Sequence, residues 1–138
     1  MTKRIGFALL LALAFGLGSA AWAAEPEQLL RTTSAGQPVK IRDHGLTLGC
    51  EGVPPVITFT QQPAHGSVDI RPSRFVFAKG YVTGTTKTCE GQNVDGIAIW
   101  YTPAAGFHGV DQIAWLADFG GSHGKRRVDP HAAQITVQ

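Results

Sequence analysis

Apolar and polar side chains alternate most clearly between Ile97 and Asp118. Ile97, Ile99 and Tyr101 recur at a period of two, and so do Asp111, Ile113, Trp115 and Ala117. Successive strand side chains point to opposite faces, so each set shares one face of an extended segment. Between the sets, Pro103 has no N–H for a ladder and ends the first strand, Gly106 and Gly109 give the turn its backbone freedom, and Phe107 supplies an apolar plug. Shorter extended runs are predicted at Pro38–Arg42, Val56–Thr60, Ser67–Arg71 and His131–Val137, with a hairpin of Arg74–Lys79 and Tyr81–Thr85 about Gly80. Turns are expected at Asp43–Gly45 and Gln61–Gly66. Loops are expected at Cys50–Pro55 and Lys87–Gly96, and a long glycine-rich loop at Phe119–Pro130. Beyond the N-terminus no segment shows a convincing 3.6-residue period. Short, regularly spaced strands punctuated by Gly and Pro predict an antiparallel all-β sandwich.

The N-terminal pattern is different. Lys3 and Arg4 precede the apolar run Ile5–Leu17, and Ala21-Trp22-Ala23 offers a small-x-small cleavage site. A run of this length and flanking predicts a signal peptide over residues 1–23 rather than a membrane span. Residues 24–37 are expected to be a polar, partly extended lead-in, and residues 38–138 a single sandwich domain. No later stretch is apolar enough to span a bilayer. The export signal predicts a periplasmic or secreted protein.

Removing Lys3 and Arg4 leaves 10 Lys+Arg against 10 Asp+Glu, so the formal +2 of the whole chain belongs to its leader. A balanced chain lacks the basic field that a nucleic-acid partner calls for. An exported chain with two cysteines, Cys50 and Cys89, is expected to bond them. Closing that loop of about 40 residues would stabilise the fold by roughly 4 kcal/mol on a chain-entropy view. The alternatives, a redox pair or metal thiolates, lack both C-x-x-C spacing and a histidine adjacent in sequence.

Gln62-Pro63-Ala64-His65-Gly66-Ser67-Val68 resembles the Q-P-A-N-G-T-V turn of bacterial Ig-like and cadherin-like tandem-repeat modules. Tyr101-Thr102-Pro103-Ala104-Ala105-Gly106-Phe107-His108-Gly109-Val110-Asp111 resembles their Y-T-P-N-A-G-F-x-G-x-D signature. The resemblance covers roughly residues 54–138 and implies an Ig-like sandwich with Greek-key connections. It departs from the family in its single copy, in the longer Phe75–Asp95 stretch, in having no acidic calcium-binding runs and in placing His65 where Asn is usual.

Candidate chemistry is sparse. Asp111 falls on an apolar face by parity, so its carboxylate needs partners. The expected partners are N–H groups of the Pro103–Gly109 turn, which makes Asp111, with Pro103, Gly106, Phe107, Gly109 and Gly66, a structural-turn residue. The five histidines show no paired zinc spacing, and there is no G-x-S-x-G, P-loop or dinucleotide motif. No metal, cofactor or catalytic residue is therefore assigned. Lys125, Arg126 and Arg127, expected on the long loop, are candidate anion-binding residues, and Trp100, pointing away from the Ile97/Ile99/Tyr101 face, is a candidate interface residue. The expected function is a non-catalytic binding or adhesion module acting in the envelope or outside the cell, on an envelope protein or an anionic polymer. The alternative is a spacer or subunit of an envelope assembly. A hydrolase or metal-binding role lacks the residues in sequence order.

Overall fold

A computed structural model describes residues 26–48, 51–77, 90–122 and 125–138. The described residues form nine strands: β1 (Glu27–Thr33), β2 (Val39–His44), β3 (Leu46–Leu48), β4 (Glu51–Val53), β5 (Val56–Gln61), β6 (Gly66–Val76), β7 (Asn93–Pro103), β8 (Gly109–Ser122) and β9 (Lys125–Val137). One sheet has the order β1-β9-β8-β5, a second β2-β7-β6, and β3 and β4 form a small hairpin. The protein is all-β, with two sheets packed as a sandwich. Among the described residues no helix is long and apolar enough to cross a membrane.

The core forms where the inward sets of the two sheets meet. Ile41, Ile99 and Tyr101 from the second sheet pack against Ile113, Trp115, Ala133, Ile135 and Val137 from the first. The period-two set Asp111, Ile113, Trp115 and Ala117 is buried throughout, as its parity predicts. Phe75, Phe77 and Val94 make a second, smaller cluster.

Several segments differ from the sequence reading, among them Lys87–Gly96, expected as a loop, where Asn93–Gly96 is the start of β7 paired with Ser73–Val76. Glu27–Thr33, expected as lead-in, is a strand paired in parallel with His131–Val137. Phe119–Pro130 is not a long loop: β8 and β9 continue through it as a hairpin, pairing Gly121 with Arg126 and Ser122 with Lys125 past an irregularity after Asp118. Gly120, with φ +71°, takes the left-handed conformation there. Within Cys50–Pro55, Glu51–Val53 pairs with Leu46–Leu48. Asp43-His44-Gly45 is not a turn, because β2 runs on to His44. The prolines respect the sheet: Pro72 lies on edge strand β6, and Pro130 precedes His131, where pairing with β1 begins. The signal sequence, the Tyr81–Thr85 arm of the expected hairpin, Cys50 and Cys89 lie outside the described residues.

The two family-like motifs meet in one clamp. Gly66 is paired with Pro103, and a Cβ on Gly66 would come within 2.5 Å of the Tyr101 ring and 2.6 Å of the Thr102 carbonyl oxygen. Only a residue without a side chain fits there. Gly66→Ala is expected to destabilise by roughly 1–3 kcal/mol through overpacking, whereas Gly36→Ala meets no atom within 4 Å and strains only its φ of +72°. Urea midpoints of the two variants check this ordering.

Candidate functional site

Asp111 is the first polar group to place. It is 3% exposed. Its carboxylate accepts the backbone N–H groups of Ala64 at 2.9 Å, His65 at 2.8 Å and Gln112 at 2.9 Å, and the Tyr101 hydroxyl donates to it at 3.0 Å. The expectation of a carboxylate satisfied by turn amides holds, but the turn is a different one. Two of the three amides come from Gln62–Gly66, between β5 and β6, the third is that of Gln112 on β8, and none comes from Pro103–Gly109. The physical reason is register: β6 pairs with β7 so that Gly66 meets Pro103, bringing the Ala64–His65 peptide over the head of β8. Burial pushes the carboxyl upward, yet the three amides and the Tyr101 hydroxyl outweigh it and hold Asp111 below the ordinary carboxylate range. Burial, reinforced by Asp111, pushes the Tyr101 phenol up. His65 completes the clamp: its carbonyl accepts the Ala104 N–H at 2.8 Å, and its ring stacks on Phe107 with centroids 4.4 Å apart. His108 is exposed. This constellation holds two turns together, and the Asp111 carboxylate spends its hydrogen bonds on three amides and Tyr101 of its own chain.

The basic triplet sits on the β8–β9 hairpin. Arg126 donates through Nε to Asp118 at 3.0 Å, and that pairing holds the Asp118 carboxyl below its usual range. Arg127 is ion-paired with Asp129 at 2.7 Å, and its guanidinium lies 5.3 Å from the Phe119 ring centre. Each of these two arginines therefore has its own carboxylate, which lowers the attraction for an outside anion. Trp100 is half-buried on the outer face of β7, with the Arg71 guanidinium 4.9 Å from its ring centre.

The chemistry that the sequence order concealed lies at the opposite end of the core. His44, from β2, and His131, from β9, are 4% and 7% exposed and flank the indole of Trp115. Trp115 donates its Nε1–H to His44 Nε2 at 2.9 Å, so that nitrogen is an acceptor. The His131 ring centre lies 4.9 Å from that of His44 and 5.4 Å from that of Trp115. Burial lowers the His44 pKa to about 4, with the neighbouring His131 and Arg42 adding to the effect. His131 is lowered too, by burial first and then by Arg42. Its Nδ1 is buried without a hydrogen-bond partner, 3.7 Å from Glu27 Oε2, an oxygen that Arg42 holds at 2.5 Å.

These histidines form the inner wall of a cavity of about 230 Å³. Arg42, Asp43, Phe75, Phe77, Phe119, Arg127 and Asp129 make up most of the remaining lining. β2, β6 and the β8–β9 hairpin thus place four charged side chains, two imidazoles and three phenyl rings around one space. Among the described residues no group of three or more His, Cys, Asp or Glu side chains is arranged to hold a metal ion. The cavity was partly legible: His131, Ala133, Ile135 and Val137 share a parity, which puts His131 inside. His44 was not legible, because an irregularity between Lys40 and Arg42 shifts the phase of β2, turning Ile41 and then His44 inward. No protein-family model, curated protein or solved structure matches this chain.

Proposed function

We propose that the chain is an exported, non-catalytic binding module of the cell envelope, built on an Ig-like sandwich with Greek-key connections. The strand order supports that fold type: β2-β7-β6 and β9-β8-β5 match the B-E-D and G-F-C sheets of an Ig domain, with β1 added beside the last strand. A bond between Cys50 and Cys89 belongs to the same reading. It is supported by the export signal, since an exported chain with two cysteines meets an oxidising compartment.

The observation that carries the binding role is the cavity at the His44–His131 end, where apolar rings and a few convergent polar groups line one concavity, as in small-molecule sites. The basic hairpin, with Arg126 and Arg127 already paired, ranks below it. Retention of the full-length chain on an envelope preparation tests the choice. The double variant Phe119→Leu/Arg127→Gln is expected to lose retention by roughly fivefold or more, and Lys125→Ser/Arg126→Ser to keep it. Equal retention of both variants, or no retention of the parent, would overturn the assignment.

A further inference from the structure

We propose that the cavity between β2, β6 and the β8–β9 hairpin is a site for a neutral saccharide unit. This rests on the binding-module reading and names its ligand class.

Size sets the first bound. About 230 Å³ is below the roughly 300–1,000 Å³ of pockets that take drug-sized ligands, which leaves room for about one ring.

Charge sets the second. Arg127 faces Asp129 at 2.7 Å, Arg42 faces Glu27 at 2.5 Å, and Asp43, the other carboxylate of the lining, faces Lys40 at 2.8 Å. Both imidazoles are held neutral by burial. The rim therefore offers no uncompensated charge, and a charged ligand would exchange its hydration for no counter-ion.

Polarity sets the third. A wholly apolar ligand would cover these carboxylates and guanidiniums and strip them of water without replacing its hydrogen bonds. A guanidinium has five N–H donors and a carboxylate about four acceptor positions, so the Arg127–Asp129 pair, and Arg42 beside Glu27, keep spare capacity in planar groups. Hydroxyl groups on adjacent ring carbons both donate and accept, and they match such planar groups. The C–H faces of the same ring match Phe75, Phe77 and Phe119, which line the cavity. A polyhydroxylated neutral ring meets the three conditions together.

The test is a titration of the full-length protein, followed by NMR, with the methyl glycosides of glucose, galactose and N-acetylglucosamine and their disaccharides. Glucuronate, glucosamine and a capped dipeptide are the contrasting probes. At least one neutral saccharide is expected to bind at low-millimolar concentration or better, with its charged counterpart weaker by roughly tenfold. Phe119→Leu and Arg127→Gln should each weaken it by roughly tenfold while leaving the melting temperature unchanged. Tighter binding of a charged sugar or of the dipeptide, no saccharide binding at about 50 mM, or full affinity in both variants would overturn the proposal. If saccharides fail while envelope retention still depends on Phe119 and Arg127, the ligand class falls and the binding module stands. If both fail, both fall.

Discussion

Asp111→Ala is expected to destabilise the protein by roughly 3–5 kcal/mol, far more than a surface change. The carboxylate accepts four hydrogen bonds, three from backbone amides and one from Tyr101, at a position 3% exposed to solvent. Truncation leaves the Ala64 and His65 amides and the Tyr101 hydroxyl without their acceptor, and each unsatisfied buried donor costs roughly 1–3 kcal/mol, with partial relief by water. The melting temperature should fall by roughly 10–20 °C for a domain of this size. Asp111→Asn keeps one acceptor oxygen but turns an NH₂ toward the amides, so its loss should be intermediate. Tyr101→Phe removes one bond and should cost about 1–2 kcal/mol. The Tyr101→Phe/Asp111→Ala double variant should cost less than the two single losses added, because the two residues share a bond. Chemical denaturation of all four variants supplies the measurement. An Asp111→Ala protein within about 1 kcal/mol of the parent would mean that the two turns are held together by packing alone.

The same residue shows what the sequence could and could not disclose. Parity placed Asp111 inside, and electrostatics demanded partners for it. Neither specified which turn would supply them, because that depends on the pairing of β6 with β7, set across more than thirty residues of chain. The two quoted motifs turned out to be halves of one contact, which gives a physical reason for their occurring together. The β8–β9 hairpin looks like a loop in sequence for a different reason. Beyond Asp118 the strands carry glycine and charge, with Arg126 and Arg127 exposed and paired to Asp118 and Asp129, so no apolar alternation marks them. β1 was obscured similarly, since only one face of Glu27–Thr33 packs, through Leu29, on the core. His44 was hidden by the phase shift in β2, whereas His131 stood in plain alternation with Ala133 and Ile135.

Mild acid should destabilise the protein through its buried imidazoles. Protonating His44 at Nε2 would set a new N–H against the Trp115 N–H that now donates to it at 2.9 Å. The charge would lie in a buried site beside Arg42 and 4.9 Å from the His131 ring, with Asp43 and Asp129 offsetting only part of the cost. His131 faces Glu27 on β1, Arg42 and His44 on β2, Trp115 on β8, and Asp129 and Arg127 on its own strand; its pKa is lowered for the same leading reason, burial. The folded state therefore binds fewer protons than the unfolded chain between the ordinary imidazole value of 6.5 and the His44 value of about 4. The stabilisation is fully present above the upper limit and is lost as pH falls through that window. At about 1.4 kcal/mol per pKa unit, His44 alone contributes about 3 kcal/mol of loss, and His131 acts in the same direction. Asp111, held below the ordinary carboxylate value, loses its own stabilisation only at lower pH. His44→Gln keeps an acceptor for Trp115 but does not titrate. Urea midpoints at about pH 7.5 and about pH 4 should fall steeply for the parent and much less for His44→Gln, with the slope of each transition preserved. A parent equally stable at both values would place His44 and His131 in water and remove the inner wall of the cavity.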